Sequence, residues 1–167
     1  MNIRRSVLIV LGAAPFALRA VFAQTKPVVL IGWLNTESRT SAALGNLAAF
    51  KEEMALRGWK GEANYVLEEH WADGQRDQLP SLAKALAARR PAHIEAANGA
   101  ATVAAAKAAP QTPIVQASGD SPVASGLAAS LARPGGMVTG NASITRDLSE
   151  KFVELLVAAA PQVKRIG

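Results

Sequence analysis

Residues Val28 to Leu34 read Val-Val-Leu-Ile-Gly-Trp-Leu, an unbroken apolar run rich in β-branched residues. A strand with one wet face alternates polar and apolar positions. A run without alternation predicts a strand buried on both faces, as in a parallel sheet. The chain beyond it fits that reading. Asn35–Ser41 is a polar loop, and Ala42–Arg57 carries apolar residues at 43, 44, 47, 50 and 54, the spacing of a helix that Gly58 stops. Tyr65–Trp71 predicts a second strand, closed by the turn Ala72-Asp73-Gly74. Leu79–Ala88 predicts a second helix, with Leu79, Leu82, Ala83 and Leu86 on one stripe and Pro91 as its stop. His93–Ala97, Ile114–Ala117 and Val138–Gly140 read as further strands. Ala100–Ala109, Pro122–Leu131 and Leu148–Ala160 read as helices, and Lys164–Gly167 as the approach to another strand. Strands alternating with helices at this interval predict an α/β fold: a parallel sheet of about five strands flanked by helices on both faces. In such sheets a ligand lies at the carboxyl ends of the strands, where the strand order reverses.

The ends of the chain change the meaning of its charge. The 167 residues carry 18 Lys+Arg and 13 Asp+Glu, a formal +5. Arg4 and Arg5 are followed by an uncharged stretch from Ser6 to Leu18, then by Val21-Phe22-Ala23 with small or β-branched residues at the −3 and −1 positions of a cleavage site. This order is that of a secretory signal peptide cleaved after Ala23, and the apolar stretch is too short to span a bilayer. The Arg pair admits twin-arginine export as well as the general route. Removing residues 1–23 takes away Arg4, Arg5 and Arg19 and no acid, which leaves 15 bases against 13 acids. A net +2 is no footprint for nucleic acid. With no Cys, the chain has no thiolate metal site, disulfide, Cys nucleophile or lipid-modified Cys.

The familiar catalytic patterns are missing. No Gly-x-Gly-x-x-Gly follows the first strand, and there is neither a phosphate-cradling Gly-Lys-Ser/Thr loop nor a Gly-x-Ser-x-Gly elbow. His70 and His93 lack metal-ligand spacing, so neither a metal nor a cofactor is expected. The strand-end loops instead carry small hydrogen-bonding groups. Asn35, Thr36 and Ser38 follow the first strand. Asn98 and Gly99 follow the third and open a helix. Ser118, Gly119, Asp120 and Ser121 follow the fourth, before a further expected helix. Free N–H groups at a helix start suit a carboxylate or phosphate, and Asp120 suits an ammonium. Taken singly, Asn98, Asp120 and Ser121 read equally well as helix caps. Trp33 and Trp71, near strand ends, could stack on a ligand or pack against helices. Glu68 and Glu69 are adjacent and must face opposite sides of a strand. Glu95 is anomalous: a carboxylate in a strand expected to be buried needs an edge position or a partner.

Several motifs together resemble the periplasmic substrate-binding proteins of ABC transporters, the two-lobed group often predicted to bind aromatic amino acids. They are Ile31-Gly32-Trp33-Leu34-Asn35, Trp71-Ala72-Asp73-Gly74-Gln75, Gly119-Asp120-Ser121-Pro122-Val123, and the long run Gly126–Gly136 followed by Val138-Thr139-Gly140. The resemblance implies a periplasmic-binding-protein type I lobe that grips ligand with the loops at Asn35–Ser38, Asn98–Ala100 and Ser118–Ser121. It also implies a membrane permease as partner. Residues 24–142 would form the N-terminal lobe, and residues 143–167 the crossover to a second lobe and its start. The chain departs from the family pattern at Ser121, where Asp usually precedes the Pro, at Met137, where Asn is common, and at Glu95 and Gln116, which stand where apolar residues are usual.

The expected function is therefore that of an exported, periplasmic solute-binding component of an ABC importer. It would bind a small polar ligand, an amino acid by resemblance, without catalysis. The alternatives are a truncated non-binding remnant, an interaction protein that dimerises through the Leu148–Ala160 helix, whose stripe Leu148, Phe152, Leu155, Leu156 and Ala159 would otherwise be bare, or an exported α/β hydrolase using Asp120 or Ser118.

Overall fold

A computed structural model describes residues 28–143 and 145–162. The signal peptide with its cleavage after Ala23, and the strand expected at Lys164–Gly167, lie outside the described residues. Five parallel strands form one sheet: β1 (Val29–Asn35), β2 (Tyr65–Trp71), β3 (His93–Ala96), β4 (Ile114–Gln116) and β5 (Val138–Gly140), in the order β2-β1-β3-β4-β5. The helices between them are α1 (Ser41–Leu56), α2 (Leu79–Ala88) and α3 (Gly99–Ala108), and α4 (Thr145–Ala159) follows β5.

The alternation of side chains along β1 sorts the layers. A Cβ on Gly32 would lie 2.8 Å from Leu86 of α2, so the even-numbered face of β1 meets that helix. Trp33 points the other way, where its ring stands 5.6 Å from Phe50 of α1. Helices thus cover both faces, as the unalternating run requires. The main core lies between the sheet and α2 with α3. Leu34, Leu86, Ile94, Ala101, Ala105 and Ile114 are fully buried there. Each of the large ones is worth about 1.5–3 kcal/mol relative to exposure. From β1 the chain moves outward to β2, then returns across β1 to β3. The strand order therefore reverses between β1 and β3.

Most element ends fall within a residue or two of expectation, and α4 begins three residues early, at Thr145. One expected element is absent. Pro122–Leu131 forms turns, not a helix. Gly126 has φ +71°, a left-handed conformation that breaks a right-handed helix. The backbone donors beyond it turn elsewhere: Ala129 N–H bonds Pro134 O at 2.8 Å, and Ser130 and Arg133 bond each other. The apolar residues there are spaced for a helix, yet the Gly and the Pro-Gly-Gly closure prevail.

Helix α4 leaves much of its apolar face exposed. Leu148, Phe152, Leu155 and Leu156 are 39–57% exposed. Among the described residues, no helix is long and apolar enough to cross a membrane.

Candidate functional site

The loops leaving β1 and β3 are joined directly. Asn98, which precedes α3, donates from Nδ2 to the Thr36 hydroxyl in a short hydrogen bond. Its Oδ1 accepts from Ala101 N–H at 3.2 Å and so caps α3. Behind it, Gly119 with φ +121° lies so close that a Cβ there would stand 2.6 Å from Gly99 N. Only glycine fits that approach. These contacts hold the ends of β1, β3 and β4 together at the crevice where the strand order reverses, the expected place for a ligand.

Two cavities open there, and they share Glu37 and Asn98. The first, about 350 Å³, is walled by Trp33 and Phe50, with Asn35, Asn46, Glu95 and Ser118 around it. The second, about 630 Å³, is more polar. It takes in Thr36, Arg76, the α3 start at Gly99, and Gln116, Gly119 and Asp120.

Of the residues expected at the site, Asn35, Asn98 and Ser118 line the first cavity, and Thr36, Asn98, Gly99, Gly119 and Asp120 the second. Ser38 and Ser121 line neither. Ser38 is exposed, with its carbonyl accepting from Thr40 N–H at 2.7 Å. The Ser121 hydroxyl accepts from Val123 N–H at 3.3 Å within its own turn. Because no helix follows Ser121, the anion-binding helix start expected at 118–121 does not exist. The one at α3 does.

Several of these groups are already occupied. Ser118 donates to Ala97 O at 2.7 Å, and Asn98 uses both ends of its amide. Buried Asn35 accepts from Glu37 N–H at 3.0 Å and lines the first cavity. The Trp33 indole N–H is buried with no acceptor. An unmet buried donor costs about 1–3 kcal/mol.

The two neighbouring acids of β2 sit in structural pairs. Glu68 bonds His70 (3.2 Å) and Arg89 (2.9 Å). Glu69, on the opposite face, meets Lys51 (3.0 Å), Arg39 (3.1 Å) and the Trp71 N–H (3.2 Å). Burial alone would raise both carboxyls. The hydrogen bonds and positive charges outweigh it and hold both below the usual carboxylate range. Arg39 also covers the Trp71 ring at 5.4 Å, and Trp71 lines neither cavity. No His/Cys/Asp/Glu group among the described residues could hold a metal, and no described His lines either cavity. The site holds donors, acceptors and apolar walls, but no nucleophile paired with a base.

Residues 8–167 match the family described as ABC transporter substrate binding protein. The chain belongs to that family. Solved structures share the fold. A ligand-free, open substrate-binding protein with adhesive properties from Clostridium difficile superposes with TM-score 0.65 at 24% identity, over 75% of this chain and 43% of that one. An ABC domain in complex with L-Trp from Streptococcus pneumonia gives 0.63 at 23%, over 69% and 38%. A conserved domain protein from Vibrio cholerae gives 0.66 at 21%, over 82% and 45%. The chain thus spans less than half the length of these structures. No curated protein matches it. Substrate-binding proteins, as a family, are not enzymes.

Sequence reasoning missed Asn46, Phe50 and Arg76. Asn46 and Phe50 look like ordinary positions of α1 until the helix folds back on β1. Glu95 was signalled by its own anomaly. It lies on a central strand, not an edge, and faces the first cavity.

Proposed function

We propose that this chain is the ligand-binding N-terminal lobe of an exported, periplasmic solute-binding component of an ABC importer. It binds a small polar ligand, an amino acid, without catalysis and presents it to a membrane permease. Residues 24–142 are the lobe, and residues 143–167 cross toward a second one. The observation that carries this is the pair of cavities at the β1/β3 reversal, in a chain of the substrate-binding family. A volume of about 350 Å³ with aromatic walls and a few amides is of the size and kind that takes a small molecule. A fold shared with a protein solved with L-Trp supports the amino-acid class.

Calorimetric titration of the chain with the common L-amino acids tests it. At least one should bind, at modest affinity, because one lobe covers only part of a ligand. A folded chain silent to all of them would reject the ligand class.

A further inference from the structure

We propose that Glu95 makes the aromatic-walled cavity selective for a cationic amine. This rests on the binding reading above and names the ligand chemistry that the site takes.

Glu95 lies on central strand β3, paired with Trp33 of β1 and Val115 of β4. Its side chain is only 12% exposed. A carboxylate so placed is costly unless something offsets its charge. Among the described residues its one basic neighbour is His93, whose Nε2 stands 3.4 Å from Oε1, beyond ordinary hydrogen-bond range. His93 does not line the cavity, whereas Glu95 does. The other charged residue in that lining is Glu37, also an acid, and no Lys or Arg accompanies them. The cavity therefore offers negative charge with no cation of its own, beside the rings of Trp33 and Phe50. Rings and a carboxylate together suit an ammonium on an apolar body.

Two probes isolate the ammonium. L-Phenylalaninamide and 3-phenylpropionamide differ only in that group, and NMR titration of the isotope-labelled chain measures weak binding of each. The wild type should bind L-phenylalaninamide roughly ten- to hundredfold more tightly, the worth of one charge-assisted contact. Glu95→Gln should erase that preference and leave 3-phenylpropionamide unchanged. Glu95→Asp should keep part of it. If Glu95→Gln does not fold, the matched pair on wild type and the Asp variant decide. Equal affinities for the two probes in wild type, or a preference that survives Glu95→Gln, would overturn the role of Glu95 while leaving the binding function intact. A folded chain that binds neither probe nor any amino acid would overturn both.

Discussion

Gly32 shows how tightly one position can be specified. A methyl group there would sit 2.8 Å from Leu86 Cδ2 and 3.0 Å from Cδ1 and Cγ. Those atoms are the far end of a side chain, but Leu86 is fully buried, so its displacement propagates into the α2 layer. Gly32→Ala should cost about 1–3 kcal/mol, the range for overpacking a core. Urea denaturation reads it as a lowered midpoint with unchanged slope. A midpoint equal to wild type would mean that the core yields there freely. Trp33, the next residue, faces the opposite layer and serves two roles: it packs on Phe50 and walls the first cavity.

At the scale of elements, β2 fastens both layers through two neighbouring acids. Glu68 holds Arg89 at the end of α2, and Glu69 holds Lys51 of α1. Both carboxyls titrate below their usual 4.5 in the folded chain. Unfolded copies take up protons first, so the stability from these pairs is whole above about 4.5 and is lost as pH falls through the lowered folded values. Thermal melts between neutral and acid pH should show a fall confined to that acid window. The double variant Glu68→Gln, Glu69→Gln should flatten it, and an unchanged fall would assign it to other groups. The opposite facing of these two acids followed from their adjacency alone. The strands and α1 to α3 were legible for a similar reason, because burial imposes a period on local sequence. Pro122–Leu131 was not, because Gly126 overrides the apolar spacing. The site was legible only in part. Asn35, Thr36 and Asn98 follow from strand-end logic, whereas Phe50 and Asn46 enter through a tertiary contact that no local pattern encodes.

For the whole molecule, the sheet's filled layers contrast with the stripe of α4, where Leu148, Phe152, Leu155 and Leu156 are 39–57% exposed. On the reading proposed above, that stripe belongs against a second lobe. Native mass spectrometry of the exported protein checks where the chain begins. It should begin at Gln24, and an intact residue 1 would sink the cleaved signal peptide. The shared fold covers 38–45% of the length of the similar structures.

The bond between Asn98 and Thr36 spans 62 positions of chain. Neither loop can adopt its final shape before β3 has docked beside β1, a non-local step that folds slowly compared with helices. The crevice therefore exists only once β3 has paired with β1. Ligand binding during refolding would report that pairing, and a nascent chain halted before Asn98 would lack the residue that ties the two loops together.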